Sequence, residues 1–326
     1  MAYGTKPEVL PAATKAPLST RAELFKQIRK HRYHYLFALP MLIFFCAFTL
    51  WPMIASWYYS FFNWDGIGWP TDFIGLGNFR EVASDPGFWN AFVNTFFFAL
   101  THVLIQMPLA LVVAVILNNQ FLAGKNVYRL LLFVPVISTT AVIGVIFSIL
   151  LNPLGGAINE MLLSTGLIRE PVNFLGSTAF ALPTLLAVSV WKSFGTPMIY
   201  WLAGLQTIPA ELYEAARIDG AGKLQSFFRI TVPMLVPIGL VITLLTFINN
   251  LDPFDLVRTM TEGGPVKATD VVQTYIFRYA FEPESGSSRY GFASAAGILF
   301  SLAVLVFVII QALAGKYARR SGTKGA

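Results

Sequence analysis

The sequence predicts an all-α integral membrane protein with six transmembrane helices, and three observations carry that expectation. Of 326 residues, 56% are hydrophobic and only 12% charged, with a mean hydropathy of +0.63, a balance foreign to ordinary soluble domains. Apolar segments recur along the chain, most of them near the roughly 20 residues needed to cross a ~30 Å hydrocarbon core. The basic residues, finally, concentrate in alternate connections between those segments.

The segments lie near residues 35–62, 88–117, 130–151, 181–205, 234–251 and 291–314, one of them interrupted by polar groups. Ahead of them, 1–34 reads as a tail. Its stretch 2–19, rich in Pro, Ala, Thr and Lys, is expected to be disordered. Residues 23–34 suit a short basic amphipathic segment on the membrane surface. The run 37–59 exceeds the about 7–15 apolar residues of a signal-peptide core, so cleavage is not expected. Cys46, the single cysteine, falls inside the first segment, which leaves no disulfide framework and no cysteine metal site. Residues 35–314 form one six-span domain, and 315–326 a short tail.

Six spans place both termini on one side. Lys6, Lys15, Arg21, Lys26, Arg29, Lys30 and Arg32 precede the first span, and Lys125 and Arg129 follow the second. Arg217, Lys223 and Arg229 follow the fourth, and Lys316, Arg319, Arg320 and Lys324 end the chain. The other three connections hold Arg80, Arg169, Arg258, Lys267, Arg278 and Arg289, together with 12 of the 17 carboxylates. By the positive-inside rule both termini are cytoplasmic. The same distribution explains the formal charge of +6 and removes the nucleic-acid reading that a basic chain invites. Trp51, Trp57, Trp64, Trp69 and Trp89 cluster around the first outer connection, as an interfacial belt does.

One cytoplasmic connection is more elaborate than a turn. In the segment 207–233, Pro209 suits a helix start, Glu211 and Glu214 complement its dipole, and Gly220 suits a left-handed cap. A second short helix is expected over 223–231 before Pro233 and Pro237 restart the chain. Ala215 and Ala216 permit close approach of another protein; Leu212, Tyr213 and Ile218 offer apolar contact, and Glu214 and Asp219 polar contact. A loop merely lying on lipid would favour Lys and Arg over acids, whereas this one balances them.

Glu214-Ala215-Ala216, Asp219-Gly220-Ala221, then Phe228, Ile230 and Pro233 resemble the EAA loop of ABC importer permease subunits. Other stretches are similar to the carbohydrate-uptake branch of that family, of the maltose and glycerol-phosphate type. They are Leu76-Gly77-Asn78-Phe79, Asn94-Thr95, Trp191 with Phe194-Gly195, Ala203-Gly204-Leu205-Gln206, Phe254-Asp255-Leu256, Met260-Thr261 and Gly263-Gly264-Pro265. The resemblance implies the type I permease fold, with Glu214, Ala215, Ala216, Asp219, Gly220 and Ala221 on a coupling helix that seats in an ATPase subunit. It implies a second homologous permease subunit, two ATPase subunits carrying ATP and Mg, and an extracytoplasmic solute-binding protein. It places the chain, as a multi-pass protein without a cofactor of its own, in the inner membrane of a bacterial cell. A polyol or glycerol-phosphate compound is the alternative substrate class to a di- or oligosaccharide.

No phosphate-binding loop exists: Gly124-Lys125, Gly222-Lys223 and Gly315-Lys316 are followed by Asn, Leu and Tyr, so ATP energy must arrive from a partner. No catalytic residue is expected. A rival reading takes Asn249, Asp252 and Asp255 as the diphosphate-Mg site of a membrane prenyltransferase. It lacks a second carboxylate cluster and sits on the outer side. A non-transporting scaffold is disfavoured by the polar groups at membrane depth. Those groups are Gln106, Ser138, Thr139, Thr140, Lys192, Ser193, Asn249 and Asn250. Lys192 lies about 11 residues into its span, roughly 16 Å deep. Trp191, Tyr200 and Trp201 can stack on sugar rings, although packing is the commoner use of aromatics. The residues expected along a substrate path are Asn249, Asn250, Lys192, Trp191 and Tyr200, with the two amides foremost because they suit sugar hydroxyls. His31, His34 and His102 suggest no metal.

Overall fold

The computed structural model describes residues 30, 32–119, 121–282 and 286–322. The expected disordered stretch 2–19 and most of the surface segment 23–34 lie outside them. The chain divides into two units, Met1–Ala55 and Ser56–Ala326. Among the described residues the regular structure is helical, with one isolated bridge between Phe62 and Phe73.

Four helices are long and apolar enough to cross a membrane: Tyr35–Tyr59, Pro86–Leu117, Lys223–Asn249 and Tyr290–Leu313. The last continues to Gly322, into the stretch read from sequence as a tail. The third apolar segment is not one straight helix. It consists of Lys125–Ile137 and Thr140–Leu150, bent by 96° at Ser138–Thr139. The fourth is also divided, into Ala181–Ser193 and Gly195–Leu205 around Phe194.

Prolines inside the helices are met in more than one way: Pro40 and Pro237 lie within continuous helices, while others are preceded by a change of helix type. Proline offers no N–H, and its ring collides with the carbonyl four residues back. Three times the chain solves this with a five-residue π segment ending two residues before the proline: Cys46–Leu50 before Pro52, His102–Gln106 before Pro108, and Phe227–Thr231 before Pro233. In each, the amide preceding the proline donates to the carbonyl five residues back, to Cys46, His102 and Phe227 respectively. The wider turn moves the obstructed carbonyl aside and the helix continues. Pro233 therefore restarts nothing: the expected short helix and the fifth span are one helix, Lys223–Asn249, 27 residues long. Pro135 has no π segment before it, and its helix ends at Ile137.

The second helix is the spine of the second unit, contributing to all four apolar clusters. Phe98 packs with Leu185, Leu256 and Val257, Ala110 and Ala114 with Met198, Trp201 and Leu235. Phe88 and Ala91 pack with Tyr275 and Phe292, and Ala99 with Phe247. Ala91, Thr95, Ala99, His102, Gln106, Ala110 and Ala114 are all fully buried. The stripe is mostly small because helices in lipid gain from close van der Waals approach rather than from leaving water. The π segment His102–Gln106 lies within this stripe, and the same face stays buried past Pro108. At its end Arg129 Nη2 donates to the Leu117 carbonyl at 2.8 Å, capping orphan acceptors of the helix C-terminus.

Buried amides and hydroxyls clasp irregular backbone. Asn78 Nδ2 donates to the Ser60 and Phe62 carbonyls at 2.9 and 2.8 Å. Asn94 Nδ2 donates to those of Ala268 and Asp270 at 3.1 and 2.9 Å, and the Val272 amide donates to Thr95 Oγ1 at 3.0 Å. Asp270, fully buried, pairs with Arg278 and accepts from Thr274 Oγ1 at 2.6 Å. The Tyr275 hydroxyl donates to Asp85, which also caps the second helix through the Gly87 amide at 2.7 Å. Burial first, then that bond, pushes the Tyr275 hydroxyl above the ordinary phenol range, so it remains a donor. Gly291 is the tightest backbone approach: a Cβ there would lie 2.0 Å from the Phe62 carbonyl oxygen. We expect Gly291→Ala to cost about 1–3 kcal/mol, read as a lower melting temperature of the purified protein. An unchanged melt would mean that this junction relaxes freely.

Candidate functional site

A cavity of about 220 Å³ opens where the helices are interrupted. Val136 and Thr140, on either side of the Ser138–Thr139 break, both line it, as do Ser193 and Thr196 on either side of Phe194. Irregular backbone at membrane depth survives only where protein or a wet cavity satisfies it. The second helix contributes Gln106, the end of its π segment, and the fifth contributes Thr246, Asn249 and Asn250 at its own end.

Four of the five residues expected along a substrate path come together here: Lys192, Tyr200, Asn249 and Asn250 all line the cavity. Trp191 does not. It is 47% exposed and its ring meets Phe147 edge-on at 5.3 Å. Consecutive helical residues point about 100° apart, and here Trp191 turns toward Phe147 while Lys192 turns to the cavity. Asn250 Nδ2 donates to the Thr246 carbonyl at 2.7 Å, which leaves its oxygen and its second N–H free. The three ion pairs among the described residues join Arg258 to Glu282, Arg278 to Asp270 and Arg289 to Glu81, leaving Lys192 out. Asp252, noted from sequence in another role, is in the same lining. Among the described residues, no group of three His, Cys, Asp or Glu side chains is placed to hold a metal ion.

The second candidate surface is the helix Ala210–Ile218, none of whose residues is buried. Its end is a complete left-handed cap. Ala221 donates its amide to the Ala216 carbonyl at 2.8 Å, Gly220 donates to Arg217 at 3.1 Å, and Gly220 sits at φ 81°. This paired pattern satisfies the last carbonyls without another element. Glu214, Ala215 and Asp219 are exposed, and Ala216 and Ala221 are half-buried. Ile218 is 86% exposed, with Leu224 and Phe228 also open. Sequence reasoning missed the tie between this knob and the membrane: the Tyr213 and Thr231 hydroxyls pair at 2.9 Å. Thr231 is the last residue of the π segment in the helix that ends at Asn249. The one available signal was that both residues carry hydroxyls within the segment 207–233.

Comparison with known proteins follows from this geometry. The chain is 33% identical over 278 residues to a probable ABC transporter permease, YurN of Bacillus subtilis, covering 85% of this chain and 94% of the relative. It is 32% identical to the lactose transport system permease LacF of Rhizobium radiobacter, with coverage of 86% and 93%. Identity is also 32% to the trehalose/maltose transport system permease MalF of Thermococcus litoralis, with coverage of 89% and 96%. Among solved structures, a bacterial ABC transporter that imports the acidic polysaccharide alginate matches with a TM-score of 0.79 at 27% identity, over 90% of this chain and 99% of that one. The alginate transporter in complex with its pentasaccharide-bound periplasmic protein matches with a TM-score of 0.77 at 27% identity, over 89% and 96%. Residues 33–320 match the profile of the binding-protein-dependent transport system inner membrane component, and the chain belongs to that family of ABC importer permease subunits.

Proposed function

We propose that the chain is one half of the permease of an ATP-driven, binding-protein-dependent importer for a carbohydrate of di- or oligosaccharide size. One observation carries the reading. A single helix, Lys223–Asn249, joins the exposed knob to the polar cavity, a span of roughly 40 Å at 1.5 Å per residue. A shift imposed on the knob by an ATPase pair reaches the cavity through that helix. Import is then a change of population between cavity-in and cavity-out arrangements, biased by the ATPase. The chain contributes the path and the lever, while ATP and Mg reside on the ATPase subunits.

Six crossings with both termini cytoplasmic fit a register in the structure. His102 meets Ser189 and Gln106 meets Ser193, a constant offset that requires the second and fourth segments to run in the same direction. One crossing by the bent segment 125–150 brings the chain back between them. A homologous permease chain, two ATPase copies and an extracytoplasmic binding protein complete the importer. The alginate transporter solved with its periplasmic protein supports the last of these. Localisation in the inner membrane of a bacterial cell follows from the same reading.

Lys192 supports a second substrate class. A cation in the lining suits a phosphate or carboxylate, and the sn-glycerol-3-phosphate permease UgpA of Agrobacterium fabrum is 30% identical over 85% of this chain and 92% of its own. Competition for uptake between maltose, lactose and sn-glycerol 3-phosphate separates the two classes.

Two experiments test the path and the lever. Asn249→Ala with Asn250→Ala should raise the uptake KM about tenfold, the worth of one or two hydrogen bonds, while ATPase subunits still co-purify. Unchanged uptake kinetics would remove the amides from the path. At the knob, Gly220→Val should lose ATPase co-purification or solute-stimulated hydrolysis, while Gly220→Asn retains both. No atom lies within 4 Å of a Cβ at Gly220, so the difference isolates backbone strain, roughly 1–2 kcal/mol for a left-handed residue that is not Gly or Asn. Equal behaviour of the two variants would exclude the turn from coupling. Tyr213→Phe should leave ATPase binding intact yet cut solute-stimulated hydrolysis severalfold, since it deletes only the bond to Thr231; full stimulation would refute that link.

A further inference from the structure

Between the second and fourth helices lies a two-rung polar ladder whose protons can be placed one by one. His102 Nδ1 is 2.8 Å from the Phe98 carbonyl, which can only accept, so Nδ1 carries the proton. In the neutral ring expected at full burial, Nε2 then accepts from Ser189 Oγ at 3.0 Å. On the next turn Ser193 Oγ commits its proton to the Ser189 carbonyl at 2.8 Å. Ser193 can therefore only accept from Gln106, which fixes the carboxamide with Nε2 toward Ser193 at 3.0 Å. Donor and acceptor roles are accounted for along the ladder save two on Gln106, the second hydrogen of Nε2 and the acceptor Oε1. Gln106 Oε1 is buried and has no partner.

An orphan acceptor in a buried site costs about 1–3 kcal/mol, and at membrane depth no bulk water relieves it. Gln106 is fully buried and belongs to the wall of the polar cavity. It is the last residue of the π segment, and the buried stripe continues below it with Ala110 and Ala114. Three neighbours on the same wall, Lys192, Asn249 and Asn250, bring donors of their own.

We infer that Gln106 Oε1 is a specificity contact of the path, accepting a hydrogen bond from a hydroxyl of the transported saccharide, with Ser193 as the group that positions its amide. The inference rests on the reading of the cavity as the substrate path. It assigns a ligand contact to the second helix, and it selects for an uncharged O–H donor at that point. Phosphate and carboxylate oxygens, which only accept, are repelled there.

The test uses the complete importer in proteoliposomes, with labelled maltose, lactose and trehalose as probes and the monodeoxy derivatives of whichever is imported. Gln106→Met, matched in length, should raise the uptake KM about tenfold with maximal rate within about twofold, and one monodeoxy derivative should show the same KM in wild type and variant. Gln106→Glu, protonated at this depth and so still an acceptor toward the cavity, should stay within about threefold of wild type. Ser193→Ala keeps Oε1 and loses only its anchor, so its effect should also stay under about threefold. The inference is overturned if Ser193→Ala or Gln106→Glu is as damaging as Gln106→Met, or if no deoxy derivative abolishes the difference. It is equally overturned if Gln106→Met loses the second permease subunit on purification, which would place that subunit's donor on Oε1. Loss of uptake in the Asn249→Ala, Asn250→Ala double variant with normal KM in Gln106→Met defeats this inference alone; unchanged kinetics in both defeats the path itself.

Discussion

Hydrocarbon offers no partner to a hydrogen-bonding group, and much of this molecule's architecture follows from that constraint. A proline inside a span deprives one carbonyl of its donor. The structure answers with π segments before Pro52, Pro108 and Pro233, and there the helices continue. At Pro135, with no π segment before it, the helix ends two residues later and the chain turns by 96°, although the helices continue through Pro40 and Pro237 without one. Residues flanking that turn and the division at Phe194 line a single polar cavity. Defects that would be costly when scattered are tolerable when pooled around one wet space.

The same logic governs the side chains. Amides and hydroxyls buried in the second helix each meet a specific acceptor or donor. Asn94 and Thr95 hold the loop before Val272, and His102 and Gln106 meet serines of the fourth segment. Between them the stripe is alanine, because close approach is what holds helices together in lipid. Polar groups thus set register and small groups set distance, and the second helix supplies both.

A continuous fifth helix alters the mechanical picture. Had Pro233 broken the chain, motion of the exposed knob would dissipate at a joint. Instead the π segment carries the helix past the proline, and the hydroxyl pair of Tyr213 and Thr231 ties the knob to its base. The far end of that helix presents Asn249 and Asn250 to the cavity. The exposed knob and the polar cavity are thus joined by one continuous helix.

Sequence by itself determined the membrane class, the approximate apolar segments, and the segment 207–233 with its left-handed Gly220. These are properties of local composition and spacing, which hydropathy, charge and turn chemistry encode directly. It also singled out Lys192, Asn249, Asn250 and Tyr200, because a polar group at membrane depth is conspicuous in one dimension. Only the tertiary structure decided which of them share a wall, since facing depends on helix rotation. Lys192 lines the cavity while its neighbour Trp191 meets Phe147. It alone showed that Pro135 accompanies a break and Pro233 does not. Pro233 is passed through a π turn, a choice of hydrogen-bond partner five residues back rather than four, and no residue type announces it.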